Sequence, residues 1–282
     1  MEVGGLKVRK KPCRKNMMII LILAALGFAT FFPFFWMVLS SLKRNNEVFA
    51  MPFRWLPESF QWQNYISIWE QINLATFFRN TTFLTLIITS IQLFTSSFAA
   101  YGFSKMQFKG RDLLFLAYIA TIAVPWQVYM IPQFILMSNI GLTDNLWALI
   151  LLQSFNAFGV FLMKQYYESI PDALCESARI DGLNEWGIYF KIMLPLIKPA
   201  IASLTIITFV NTWNDYMGPL LYLTSMDNLT IQVGIRAFIG LFSASHAYIM
   251  AASVVSIIPV AIVFICLQKY FIEGIATSGM KG

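Results

Sequence analysis

Two groups of residues in this chain are of types that do chemistry, and they are opposite in kind. The first lies in strongly apolar sequence: Trp126 and Gln127, then Gln153, Ser154 and Asn156, then Asn211, Trp213, Asn214 and Asp215 ahead of Gly218–Pro219. Planar amides, a carboxylate and indole rings together suit a sugar, since polar tips exchange hydrogen bonds with hydroxyls while rings stack on the apolar ring faces. Polar groups in an apolar setting face a bundle interior or a wet cavity. Two roles therefore stand open for each: lining a solute pathway, or hydrogen-bonding between helices to hold the bundle together. Asp215, beside a helix break, can also cap that break. The second group is a polar insert, Glu176–Ser177–Ala178–Arg179–Ile180–Asp181–Gly182, followed after nine residues by Ile192–Met193–Leu194–Pro195.

Enzyme chemistry finds no support in the remaining residues. His246 is the single histidine, and Cys13, Cys175 and Cys266 have no metal-ligand spacing, so neither a catalytic set nor a metal site is expected. No G-x4-G-K-[ST] phosphate loop occurs, and no cofactor is expected on this chain. An intramembrane hydrolase or lipid transferase needs a nucleophile–base or metal constellation, which is absent from the sequence.

The elements that must position these residues are membrane helices. The chain is 58% hydrophobic and only 12% charged, with a mean hydropathy of +0.65, whereas soluble domains carry about a quarter charged residues. A spanning helix needs about 20 apolar residues. Stretches free of Asp, Glu, Lys and Arg lie within Met17–Leu42, Thr81–Ser104, Leu113–Met137, Asn145–Met163 and Ala237–Gln268. A sixth, Pro199–Thr224, is interrupted only by Asp215. The predicted fold class is an all-α integral membrane protein with six transmembrane helices. With the N-terminus inside, the cytoplasmic segments hold fifteen of the twenty Lys and Arg residues, so both termini are expected in the cytoplasm. The same bias, with attraction to anionic membrane lipids, accounts for the net charge of +6 without a nucleic-acid partner. The first apolar stretch is too long for the core of a signal peptide and is expected to remain as span one.

Residues 1–15 read as a cytoplasmic tail and 16–282 as one six-helix domain with an inside loop at 164–198. Pro52 and Pro57 prevent one continuous helix between the first two spans, where Trp55, Trp62, Tyr65 and Trp69 suit the headgroup level. Pro125 and Pro132 predict a kink in span three at Val124–Pro125–Trp126–Gln127. Gly218–Pro219 should break span five.

In the inside loop, Ser169–Ile170–Pro171–Asp172 fits a capping box that opens a helix running to about Ile180, which Asp181–Gly182 closes. Asn184–Glu185 opens a second helix, which should end before Leu194–Pro195. Ala173, Glu176, Ser177 and Ile180 share one face of the first helix. Small residues around a carboxylate let a protein partner come close and offer an arginine two acceptor oxygens. A helix lying on headgroups would instead carry Lys, Arg and bulky apolar residues.

The spacing Glu176-x-Ala178-x3-Gly182-x9-Ile192-x-Leu194-Pro195 resembles the coupling loop of ATP-binding-cassette (ABC) importer permeases, with Ser177 where that family usually has alanine. Further stretches are similar to carbohydrate permeases of the maltose-transporter G-subunit type: Ser41–Leu42–Lys43 with Glu47–Val48–Phe49–Ala50 and Pro52, Ala100–Tyr101–Gly102–Phe103–Ser104, Phe108–Lys109–Gly110–Arg111, Ile131–Pro132, Trp213–Asn214–Asp215, Leu267–Gln268–Lys269–Tyr270–Phe271 and Lys281–Gly282. The resemblance implies a type I ABC-importer permease fold in a bacterial cell (inner or plasma) membrane. It implies a coupling helix formed by Ala173, Glu176, Ser177, Ala178, Ile180, Asp181 and Gly182, with Leu194 and Pro195 closing the motif, inserted into a cytoplasmic ATPase. The implied partners are two such ATPase subunits, which bind the ATP and Mg, a homologous second permease in a heterodimer, an extracytoplasmic solute-binding protein and a sugar substrate. The alternatives are an importer permease for another solute such as a polyamine, and a self-contained secondary transporter.

Overall fold

The computed structural model describes residues 14–239 and 244–279. The basic tail residues Lys7, Arg9, Lys10 and Lys11, Cys13 and the closing Lys281–Gly282 lie outside the described residues. Helix α1 (Arg14–Ser41) is apolar on every side, and its side chains from Met17 to Phe35 are exposed. Lipid rather than protein solvates such a surface. Its far end meets the bundle at Ser40–Lys43, which are buried. A connector with α2 (Asn64–Gln71) follows. There Trp55, Trp62 and Trp69 are exposed, while Tyr65 shares a 2.6 Å hydrogen bond with Ser41.

The organising element is α3 (Leu74–Lys105), 32 residues long. Thr81, Thr85, Thr89, Gln92 and Ser96 recur on it at three- and four-residue steps and are all buried, a polar stripe turned into the bundle. It packs on α7 (Ala157–Glu168) and α11 (Lys198–Trp213). The α3–α7 seam closes on Gly159, where a Cβ would lie 2.5 Å from Ser96 Oγ. Small residues at such crossings let helices approach closely without lipid between them.

Among the described residues, four helices are long and apolar enough to cross a membrane, and the number rises to six if each of two bent pairs is one span. The first pair is α4 (Arg111–Ala120) and α5 (Trp126–Asn139). The kink expected at Val124–Pro125 is a 97° bend, because Pro125 brings no N–H and Val124 is held extended. The second is a 76° bend before α11. Between the pairs, α6 (Leu146–Gln153) and α7 are separated at Ser154–Asn156. After α11 come α12 (Met217–Tyr222), α13 (Ile231–Gly234) and α14 (His246–Gly279), which packs on α1, α2 and α11.

Three local expectations are corrected. Ser169 opens no helix: its Oγ donates back to Tyr166 O at 2.7 Å and ends α7, and α8 (Ala173–Ile180) begins after Asp172. The second loop helix does not stop ahead of Leu194–Pro195. It runs from α9 (Glu185–Ile188) through a π-turn at Tyr189–Met193 into α10 (Leu194–Leu196), with the Leu194 N–H reaching back to Tyr189 O. The widened turn accommodates a proline that an α-helical turn would reject. The break in span five falls at Asn214–Tyr216, and Gly218 and Pro219 lie in the first turn of α12, where a missing N–H is tolerated.

Candidate functional site

Three helix interruptions meet at one cavity of about 360 Å³. They are the α4–α5 bend, which delivers Trp126; the α6–α7 break, which delivers Gln153, Phe155 and Asn156; and the α11–α12 break, which delivers Asp215. Each interruption frees backbone carbonyls that lipid cannot satisfy. Side chains of α3 meet that need at the second break: Gln92 Nε2 donates to Gln153 O at 2.5 Å, and the Thr95 hydroxyl, 2.9 Å from Ile91 O in its own helix, is shared with Ser154 O at 3.2 Å. Asn156 caps α7 by accepting from Gly159 N at 3.3 Å. Gln92 Oε1 accepts from Thr208 Oγ1 at 3.1 Å and from Asn156 Nδ2 at 3.3 Å, so one amide joins α3, α7 and α11.

Asp215 uses both carboxylate oxygens at the third break. Oδ1 accepts from Gly218 N at 3.1 Å and caps α12, while Oδ2 accepts from Gln153 Nε2 at 2.7 Å. Opposite, Trp126 Nε1 donates to Gln133 Oε1 at 2.9 Å. Of the eight residues expected on a pathway, Trp126, Gln153, Asn156, Asn211 and Asp215 line this cavity. The other three do not. Trp213 is buried against Phe209 and α14, its indole donating to Ser256 O at 2.9 Å, so its surroundings are those of a packed core residue. Asn214 turns back to Val210 O at 2.9 Å, and Gln127 is exposed away from the cavity. Residues passed over in the sequence include Gln92, Gln133 and Thr208. The signal for Gln92 was the buried polar spacing along α3.

The second region is the bracket formed by α8 and α9. Gly182 at φ +83° closes α8, with Gly182 N bonded to Arg179 O and Leu183 N to Ala178 O, the paired C-terminal bonds that a left-handed residue permits. Asn184 caps α9 by accepting from Gly187 N at 2.8 Å. Ala173, Glu176, Ser177 and Ile180 are exposed together, as are Asp181, Gly182 and Pro195. Ala178 differs: it is buried with Cys175 against Tyr101, Tyr167 and Tyr189, so it seats the helix rather than offering a surface. Leu194 is likewise partly buried in that cluster.

Three side chains one turn apart on α3 tie the bracket down. Ser97 Oγ meets Tyr189 Oη at 2.7 Å, and Tyr101 Oη donates to Glu185 Oε2 at 2.6 Å. Lys105 Nζ donates to Ile170 O at 2.6 Å and pairs with Asp172 Oδ1 at 2.5 Å. Glu185 Oε1 also accepts from Arg179 Nε at 2.8 Å, which joins α8 to α9.

A bundle of apolar helices, broken around a polar cavity and carrying a tied-down polar bracket, is a membrane transport component. The model of the binding-protein-dependent transport system inner membrane component family matches residues 92–277, and the chain belongs to that family. Members are transport permeases, and no catalytic role is expected of this one. It is 33% identical to the arabinooligosaccharides transport system permease protein AraQ of Halalkalibacterium halodurans, over 95% of this chain and 99% of that one. It is 30% identical to the lactose transport system permease protein LacG of Rhizobium radiobacter, over 91% and 93% respectively. A polygalacturonan/rhamnogalacturonan permease, YtcP of Bacillus subtilis, is 34% identical over 89% and 92%. Among solved structures, a bacterial ABC transporter involved in the import of the acidic polysaccharide alginate superposes with a TM-score of 0.80 at 27% identity, covering 92% of this chain and 98% of that one.

Proposed function

We propose that this chain is the sugar-translocating permease subunit of an ATP-driven importer in a bacterial cell membrane. Both bent pairs act as spans, giving six, with both termini in the cytoplasm and the 164–198 loop on the same side. The exposed face of α8 around Glu176 docks a separate ATPase, where ATP and Mg reside. A homologous permease completes the pathway in a heterodimer, and an extracytoplasmic solute-binding protein delivers a sugar or oligosaccharide. The observation that carries the reading is the double duty of α3. Ser97, Tyr101 and Lys105 hold the bracket, and Gln92, little more than a turn further along the same helix, holds the cavity.

Movement of a docked α8 is therefore delivered to the helix that organises the cavity. Switching between inward- and outward-facing states then follows as rigid-body rocking, with the cavity alternately open to each side. The sugar assignment is supported by relatives named for arabinooligosaccharides and lactose and by a cavity that combines amides, a carboxylate and aromatic rings. Glu176→Lys tests the docking. The variant should insert and fold as the parent does, lose co-purification with the ATPase subunit and lose uptake. Undiminished ATPase association in this variant overturns the docking role of α8.

A further inference from the structure

Resting on the reading of the cavity as the sugar path, we infer that Phe155, Tyr129 and Asn211 form the face on which a sugar ring lies. Phe155 is the stacking platform, and the other two exchange hydrogen bonds with the hydroxyls. All three line the cavity, and each comes from a different interruption. Tyr129 stands in the first turn of α5 after the α4–α5 bend, Phe155 in the α6–α7 break and Asn211 in the last turn of α11.

The same interruptions supply two kinds of side chain. One kind is tied into the frame: Gln153 donates to Asp215, Asn156 caps α7 and donates to Gln92, and Trp126 donates to Gln133. The other kind has no such ties. Among the described residues, neither the Asn211 amide nor the Tyr129 hydroxyl makes a side-chain hydrogen bond, and no aromatic ring lies against Phe155. Phe155 is 70% exposed, more than any other aromatic side chain lining the cavity. A polar group at membrane depth without a protein partner is satisfied by whatever fills the chamber, and water held there exchanges for a sugar hydroxyl. A phenyl ring among amides and a carboxylate forgoes the burial that places phenylalanine in cores, and the apolar face of a sugar ring restores it. Rocking at any of the three hinges changes the spacing of the three contacts, which ties hold and release of the sugar to the switch.

The test uses the complete transporter, with its ATPase, companion permease and binding protein, in vesicles supplied with ATP. Labelled lactose, arabinotriose and digalacturonate are offered in turn, and the parent should import at least one of them. With that sugar at saturation, Asn211→Leu, Tyr129→Phe and Phe155→Leu should each lower the sugar imported per ATP hydrolysed about three- to tenfold, the range set by one hydrogen bond or one ring contact. Phe155→Tyr, which keeps the flat ring, should restore most of the import. Unfolding temperature and co-purification with the ATPase and companion permease should stay at parental values, since none of the three side chains gives up an internal partner. Parental import per ATP in any one of the three variants overturns the inference. So does a loss in Phe155→Leu that Phe155→Tyr does not restore, or a loss of co-purified companion permease, which would make Phe155 an interface residue. Import of none of the sugars by the parent is a separate result that overturns the sugar reading and this inference with it.

Discussion

The cavity and the bracket sit on the same helix and are held by different physics. The bracket is fastened by side chains: a lysine–aspartate pair, a tyrosine–glutamate–arginine chain and a cluster of buried tyrosines beneath α8. The cavity is fastened by backbone need, with carbonyls freed at helix breaks drawing in Gln92 and Thr95. The bracket consequently leaves one face of α8 with no internal partner, as a docking surface requires. The cavity ties its amides to one another and to backbone across the helix breaks and keeps a polar lining for its contents. A transport component needs both behaviours, a stiff handle and a polar chamber that can be rearranged at its hinges.

The largest expected effect comes from the seam that both regions share. Any side chain at position 159 meets Ser96 Oγ, so Gly159→Val drives α3 and α7 apart. Overpacking of this kind costs about 1–3 kcal/mol or more. The yield of monodisperse protein from membranes should collapse, and bracket and cavity should fail together. A normal yield with normal uptake breaks the claim that one seam supports both.

Next is separation of the handle from the chamber. Lys105→Ala removes the cation from Asp172, but the Asp172 side chain is 73% exposed and stays hydrated, so no buried charge is orphaned. The Lys105 side chain is itself only 3% exposed and donates to Ile170 O, so stability should fall by about 1–3 kcal/mol while the complex still assembles. Uptake should fall about tenfold, equivalent to about 1.4 kcal/mol of lost coupling, while ATPase activity of the assembled complex persists. Uptake that tracks ATPase activity unchanged in Lys105→Ala would show that the tie transmits nothing. Tyr101→Phe should act in the same direction and more weakly, since Glu185 keeps its arginine.

Much of the bracket was readable in the sequence because its signals are local. Gly182 as a left-handed terminator and Asn184 as a cap act within a few residues of themselves. Ser169 misled for the same reason: it fits a capping box, yet the preceding helix claimed its hydroxyl and Lys105, far away in sequence, claimed Asp172. The cavity was only partly readable. Pro125 announces its bend, but Ser154–Asn156 contains neither proline nor glycine, and that break exists because α3 satisfies its carbonyls. Trp213, two residues before Asp215 in sequence, faces α14 instead of the cavity, since residues two apart on a helical turn point to nearly opposite sides.

That contrast between the two tryptophans gives a smaller and more selective test. Trp213→Phe deletes a buried hydrogen bond to Ser256 O and should lower the unfolding temperature, at a cost of about 1 kcal/mol. Its half-saturating substrate concentration should not change. Trp126→Phe releases Gln133 at the cavity wall and should change half-saturation a few-fold with unaltered unfolding temperature. The reverse pattern would exchange their roles.

The smallest effect lies at the rim of the cavity's frame, where Asp144 in the α5–α6 turn accepts from Thr224 N and Ser225 N, both at 2.9 Å, just after α12. The Ser225 and Thr224 N–H groups pull its carboxyl down to about 2. A carboxyl lowered on folding contributes stability that is whole above its unfolded value of about 3.9, and that is lost as the pH falls through the folded value. The staple should therefore add no pH dependence between about pH 5 and 8. Asp144 also holds φ at 53°, which asparagine tolerates and alanine does not. Asp144→Asn should keep one acceptor and lose little, whereas Asp144→Ala should lower the unfolding temperature by about 2–4 °C. Because α5, α6 and α12 all line the cavity while the bracket touches none of this turn, Asp144→Ala should alter sugar half-saturation slightly and leave ATPase association untouched. Weakened ATPase association in Asp144→Ala would mean that the chamber's frame and the handle are one mechanical unit rather than two joined by α3.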